Sequence, residues 1–229
     1  MRGSEDMETN GGGSTDWEEG QTLSAILIKT FLEQRAMLLN DYQIKEIAEK
    51  GAISPFIPSL IRSAESTPVI SYGVSSYGYD LRLSPKEFLV FKKVPGVVVN
   101  PKRFDTRCLE ETELHTDKFG DYFILPAHSY GLGVAMEYLH IPKNITCLFI
   151  GKSTYARCGI IANLTPGEAA WEGYLTLEIS NCSSADCRIY ANEGIVQALF
   201  LRGEKCSTSY GDRNGKYQGQ LEQVTLAKC

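Results

Sequence analysis

Two kinds of hydrophobic pattern divide the chain. In residues 22–39, Leu23, Ile26, Leu27, Phe31, Met37 and Leu38 fall roughly on one side of a predicted helix. A second helix follows. Asn40 or Asp41 can cap it, Ile44, Ile47 and Ala48 repeat at helical spacing, and Gly51 can end it. After Pro58 short apolar or alternating runs are broken by Gly, Pro, Asn and Asp. Val69–Tyr72, Phe88–Phe91, Gly96–Val99, Tyr122–Leu125 and Gly131–Met136 are the first five candidate strands. Ile145–Ile150, Gly159–Leu164, Tyr174–Ile179, Cys187–Tyr190 and Val196–Leu201 complete the set. With no helical pattern interleaved, they predict a mainly β fold: an antiparallel sandwich, barrel or jelly roll.

The flanks read differently. Residues 1–20 are rich in Gly, Ser, Asp and Glu and are predicted to be a disordered leader or an expression remnant. Residues 21–39 are predicted to form a helical extension to a single β domain over 40–229. From Gly203 to Gln220 the chain is polar and contains glycines, which predicts a mobile arm or lid with little apolar surface to hold it down.

Charge and cysteine usage narrow the class. The net charge of −5 resides in residues 1–20, where six acids stand against Arg2, and the remaining chain balances at zero. A neutral body argues against broad nucleic-acid binding, which needs a basic face. No stretch approaches the ~18 apolar residues of a membrane span. The most apolar early segment, Leu23–Leu39, carries Lys29, Glu33 and Arg35, unlike the core of a signal peptide. Seven cysteines, an odd number with no Cys-x-x-Cys pair, are expected to be reduced thiols in a cytoplasmic protein.

Three segments bear on chemistry. Gly151-Lys152-Ser153-Thr154 invites a phosphate-loop reading, but Thr146 stands where that loop requires glycine, and both flanks look strand-like. What remains is a donor-rich segment running to Arg157, either an anion cradle or a surface turn. His115, His128 and His140 begin no His-x-Glu motif, so zinc-deaminase, zincin and zinc-finger spacings are absent and no protein-held metal is expected. In Trp171–Glu178, alternation puts 174, 176 and 178 on one face and 175, 177 and 179 on the other. Glu178 is then either a general acid/base candidate in a pocket or one solvated charge among many.

Five ordered blocks together resemble the dCTP deaminases of the dUTPase-like superfamily. They are Ser71–Arg82, Gly151–Gly159, Trp171–Glu178, Tyr190–Ile195 and Tyr210–Gln220. The resemblance spans about residues 40–220. It implies a dUTPase-like distorted jelly-roll or β-barrel that assembles as a homotrimer, with active sites between subunits under the C-terminal arm. It also implies deamination of dCTP to dUTP without zinc, in pyrimidine deoxynucleotide biosynthesis, with Mg²⁺ accompanying the triphosphate. Glu178 would shuttle the proton, with Arg157 and Ser153 orienting the site. Lys152, Ser153, Thr154, Arg157, Glu168, Tyr210, Lys216 and Gln220 would contact substrate. The family's usual Pro-Gly or Pro-Glu step before the Trp-x-Gly turn is replaced by Ala169-Ala170, with Gly167 also unusual, which removes a fixed φ.

The chemistry suits these residue types. Attack at cytosine C4 needs a deprotonated water, a protonated N3 and a proton for departing ammonia, and one carboxyl can serve all three steps. Three other readings stand beside this one: a deaminase that also cleaves dUTP to dUMP, a dUTPase alone, and a non-catalytic β-sandwich module.

Overall fold

The computed structural model describes residues 37–64, 67–162 and 165–228, all within one compact unit. The predicted leader and most of the first predicted helix lie outside these residues. Three residues of that helix are described, and none is helical: β1 (Met37–Leu38) pairs antiparallel with the end of a later strand, at Arg202 and Leu201, and Leu39 follows it. The free backbone edge there supplies a ladder that helical spacing alone could not foretell.

Helix α1 (Asp41–Glu49) forms as its sequence dictates. The Asn40 side chain accepts from the Gln43 N–H at 3.1 Å, while the Gln43 side chain accepts from the Asn40 N–H at 3.1 Å. That reciprocal capping box satisfies two otherwise orphaned donors. Ile44, Ile47 and Ala48 are buried, and Gly51 ends the helix at φ +90°.

The strands that follow are β2 (Ile53–Ser54), β3 (Ile61–Ala64), β4 (Thr67–Ser75), β5 (Gly78–Phe91), β6 (Leu109–Glu111), β7 (His115–Asp117) and β8 (Gly120–Leu125). Next come β9 (Tyr130–His140), β10 (Ile145–Gly151), the single helical turn α2 (Ser153–Ala156), β11 (Ile160–Ala162) and β12 (Thr165–Gly167). The last are β13 (Glu172–Asn181), β14 (Cys187–Tyr190) and β15 (Gly194–Arg202). Twelve strands join one antiparallel sheet with the main order β11-β13-β9-β5-β15-β10-β12, and β14-β8-β7 form a second, smaller sheet.

The mainly β expectation holds, and nine of the ten predicted runs contain strand. The exception is Gly96–Val99, which is loop, with Val98 87% exposed. Its three valines have no strand to pair with, so β-propensity alone does not make a strand there. The Gly151–Thr154 segment also departs from expectation. A strand precedes it, and one helical turn rather than a strand follows.

Strand β5 is the organiser. Its first half pairs with β4 and β15, and its second half with β9 and β6. Pairing on both halves curls the sheet around a core that includes Tyr79, Leu81, Leu83, Phe88, Phe149 and Phe200, all at most 1% exposed. Two charges are sunk into the same strand. Asp80 is met by the Lys152 ammonium and by Gln197 Nε2 at 3.0 Å. Arg82 Nε meets Glu137 Oε1 on β9 at 2.7 Å, and the Arg82 N–H donates to Glu137 Oε2 at 2.9 Å.

Glu137 is wholly buried, so breaking this pair strands a charge in the core. Glu137→Leu should cost about 3–5 kcal/mol of stability, and adding Arg82→Met should recover most of it. Denaturant midpoints at fixed protein concentration measure both. Equal stability of the single and double variants would contradict the pairing.

Candidate active site

Five of the predicted site residues meet at one cavity of about 500 Å³: Glu178, Glu168, Tyr210, Lys216 and Gln220. Glu178 comes from β13, opposite Leu132 of β9. Simple alternation placed Leu175 and Glu178 on opposite faces. A register shift between Tyr174 and Thr176 interrupts it, and Leu175, Thr176 and Glu178 all line the cavity. A bulge of this kind re-aims side chains at a sheet's functional edge.

One wall is aromatic, and no motif in the sequence marks it. Phe104 packs edge-on against Phe91 at 5.9 Å, and Phe91 edge-on against Tyr130 at 5.5 Å. Burial pushes the Tyr130 phenol above its ordinary value, and the negative charge of Glu178 pushes it the same way. Tyr130 lies opposite Ser180, two residues along β13 from Glu178. The cavity thus sets a carboxylate near a phenol, among apolar side chains.

The C-terminal arm forms the roof and is docked by specific bonds. The Trp171 indole N–H donates to the Tyr217 carbonyl at 2.8 Å, and Tyr210 N–H to the Ala169 carbonyl at 3.0 Å. The Gly219 N–H donates to Glu172, and the Tyr174 N–H to Gln220. At Gly173, φ is +139°, and a Cβ would sit 2.7 Å from the Gln220 nitrogen, so only glycine lets the arm bridge there. Gly215 lies against the Tyr210 ring, where a Cβ would come within 2.0 Å of a ring carbon. The arm was expected to have little to hold it down. Its anchors are aromatic side chains, backbone bonds and polar side chains that find partners distant in sequence.

Beyond Gln220 the chain continues across the same site. The Thr225 N–H donates to Thr176 Oγ1 at 3.0 Å, and the Thr176 hydroxyl donates to Gln220 Oε1 at 2.9 Å. Glu222 pairs with Lys86. Thr225, Leu226 and Ala227 complete the cavity wall.

The remaining predicted residues lie elsewhere in the chain. Lys152 is 11% exposed, with its ammonium on Asp80 and on Ser71 Oγ at 3.1 Å. Ser153 and Arg157 bracket α2, where Arg157 Nη1 donates to the Ser153 carbonyl at 3.0 Å. Thr154 borders a second cavity of about 440 Å³, together with Arg62, Ser71 and Glu193. Glu193 is largely buried and accepts from the Ile70 N–H at 2.6 Å; burial pushes its carboxyl upward. Among the described residues no three His, Cys, Asp or Glu side chains form a metal-ligand group, and no helix is long and apolar enough to cross a membrane.

Comparison with known proteins settles the family. A family profile described as dCTP deaminase-like matches residues 38–203. The chain belongs to that dCTP deaminase-like family. A dCTP deaminase of Acidovorax sp. (strain JS42) is 49% identical over 192 residues, covering 83% of this chain and 98% of that protein. One from Dechloromonas aromatica (strain RCB) is 50% identical over 182 residues, 79% and 93% of the two chains. The crystal structure of 2′-deoxycytidine 5′-triphosphate deaminase from Agrobacterium tumefaciens shares the fold at a TM-score of 0.51 and 18% identity. That match covers 73% of this chain and 49% of the other.

The Glu168–Trp171 turn contains no proline, and hydrogen bonds hold it. The Trp171 N–H donates to the Glu168 carbonyl at 3.0 Å, and the Ala170 N–H to Ile141 at 3.0 Å. The Ala170 carbonyl accepts from the Gln218 amide at 3.1 Å. Glu168 itself pairs with Arg213 of the arm, a partner the sequence did not single out. The turn still carries strain, because Ala170 has φ +62°. A left-handed alanine costs roughly 1–2 kcal/mol relative to glycine. Ala170→Gly should therefore raise the denaturation midpoint by an amount equivalent to about 1 kcal/mol. A lower midpoint would contradict the assigned strain.

Proposed function

We propose that this chain deaminates dCTP to dUTP and ammonia, with Glu178 moving the proton. The observation that carries the reading is Glu178 in the wall of the roofed cavity, in a chain half identical to curated dCTP deaminases. Glu178 takes a proton from water as its oxygen attacks C4, and that proton passes to N3. The tetrahedral centre then collapses, the C4–N bond breaks, and the amino group leaves as ammonia after receiving a proton through the same carboxyl. The aromatic wall excludes bulk water, so dipoles and charges aimed at the reacting atoms act at low dielectric.

Ser153 and Arg157 orient water and base in this reading, and they come from a second copy of the chain. Its support is their position: the α2 corner that bears them lines no part of the Glu178 cavity. A homotrimer with each α2 corner set at the neighbour's cavity makes the site complete. Lys152 then acts through the corner, since its ammonium is already held by Asp80. Lys216, with Tyr210 and Gln220 beside it, supplies the arm's cation for the triphosphate. Mg²⁺ arrives with the nucleotide, held by its phosphates; among the described residues the one cavity carboxylate outside the proton path, Glu168, is engaged by Arg213. The chemistry runs without zinc, since a cycling carboxylate performs the water activation that a bound metal would otherwise supply.

Glu178→Gln is nearly isosteric and cannot cycle a proton. Its turnover of dCTP should fall by about 10²–10⁴-fold while nucleotide binding persists. Chromatography of products from separate incubations with dCTP and dUTP checks the rest. dUTP should form from dCTP and accumulate, and dUTP offered alone should remain intact. Comparable turnover by the variant would remove Glu178 from the reaction; dUMP from dCTP would establish the bifunctional reading, and dUMP from dUTP with no turnover of dCTP the dUTPase-only one.

A further inference from the structure

The two segments that close the cavity meet on one side chain. The Thr176 hydroxyl donates to Gln220 Oε1 of the arm at 2.9 Å and accepts the Thr225 N–H of the terminal segment at 3.0 Å. Thr176 is buried on β13, lines the cavity and stands two residues from Glu178. A hydroxyl has one proton to donate, and here the arm takes it. Gln220 is held at both ends across the bulge. Its carbonyl accepts from the Tyr174 N–H at 3.0 Å, before the register shift, and its side chain is held by Thr176, after it.

The terminal segment is held from other sides as well. The Val224 N–H donates to Glu87 Oε2 of β5 at 2.5 Å, Ser84 Oγ donates to Glu222 Oε1 at 3.3 Å, and Val224 is buried. The Lys228 N–H reaches the Tyr217 hydroxyl at 3.3 Å, and the Tyr217 N–H donates to the Tyr210 hydroxyl at 3.0 Å. The segment therefore ends on the arm it lies beside, and Thr176 is the point on the Glu178 strand where both are fastened. Glu87 lines no part of the cavity.

We propose that Thr176 is a positioning residue for the deamination. Its hydroxyl clamps the arm and a second strap, residues 221–228, onto the strand that carries Glu178, and this clamped state is the one that turns over. Nucleotide enters under these segments, so both leave and rejoin β13 in each turnover. With the clamp made, the bulge that aims Glu178 is braced on both sides and bulk water is shut out. Without the hydroxyl, the Thr225 N–H and the Gln220 amide oxygen lose their partner on β13, and the clamped state is less populated. The apparent affinity for dCTP then falls with that population. The kinetic consequence rests on the deaminase reading, whereas the clamp does not.

The test uses the full chain and the variants Thr176→Val, Thr176→Ser and Glu87→Ala, with steady-state kinetics on dCTP and hydrogen–deuterium exchange read by peptide. Valine has nearly the volume of threonine and makes neither bond. Thr176→Val should lower kcat/KM by about 10–100-fold with a rise in KM, whereas a mere loss of folded chain would lower kcat and leave KM unchanged. Thr176→Ser keeps the hydroxyl and should recover most of the loss. Peptides over 217–228 should exchange faster in T176V and at the parent rate in T176S, with those of β9 unchanged in both. Glu87→Ala loosens the strap from β5 and leaves the cavity wall intact, so it decides the matter if T176V does not fold. It should raise KM and speed exchange over 221–228. Added to Glu87→Ala, Thr176→Val should cost less than it does alone, because both act on one clamp. A parent KM in T176V, T176S as impaired as T176V, parent exchange over 217–228 in T176V, parent KM and exchange in Glu87→Ala, or additive costs in the double variant would overturn the clamp. A parent chain that does not deaminate dCTP would instead defeat the deaminase reading, and the exchange rates would still decide whether the hydroxyl holds the two segments.

Discussion

Two opposite charges buried two residues apart on one strand fix this fold. Asp80 and Arg82 lie on the same face of β5, and each is matched by a partner from a different element: Lys152 at the end of β10, and Glu137 on β9. A buried charge without its partner costs several kcal/mol. A slip of β5 by one residue would strand both charges and turn the apolar side chains outward. The two pairs thus specify the register of the central strand against its neighbours, and the Lys152 pair also pins the start of α2. The corner bearing Ser153 and Arg157 is held by the core, away from the cavity those residues would serve.

The cavity is built from parts that need one another. The bulge in β13 brings Leu175, Thr176 and Glu178 to one wall, and the aromatic group of Phe91, Phe104 and Tyr130 forms another. The arm roofs the space because Trp171 and Gly173, in the turn just before and at the start of β13, offer it an indole N–H and an unobstructed backbone. The strand that presents the acid therefore also receives the lid. A change in the Glu168–Trp171 turn reaches the lid through the Ala169 and Ala170 carbonyls, both of which hold arm residues.

Much of this was legible in the sequence. The α1 cap at Asn40 and the long runs of β9, β10, β13 and β15 follow from local pattern, and the grouping of Glu178 with Glu168, Tyr210, Lys216 and Gln220 follows from the resemblance to the deaminases. What escaped was set by partners distant in sequence. Nothing around Lys152 says that its ammonium is consumed by Asp80, and nothing near Val98 says that its run lacks a neighbouring strand. The bulge that returns Leu175 to the cavity breaks the two-residue alternation on which strand reading relies. The aromatic wall draws on three separate segments, none of which carries a motif. The arm looked unanchored because the partners of its bonds, such as Trp171, Ala169, Ala170, Glu172 and Glu168, lie far from it in sequence.

The central claim is that one chain supplies the acid and another the orienting corner, and subunit complementation tests it most directly. Glu178→Gln and Arg157→Ala chains, each inactive alone, would be co-expressed with different tags and the mixed oligomers isolated by sequential affinity steps. Some sites in those oligomers pair an intact Glu178 with an intact Arg157 from the neighbour, so dCTP turnover should reappear well above that of either parent. Mixed oligomers no more active than the parents would show that both residues must come from the same chain, and the shared-site account would fail.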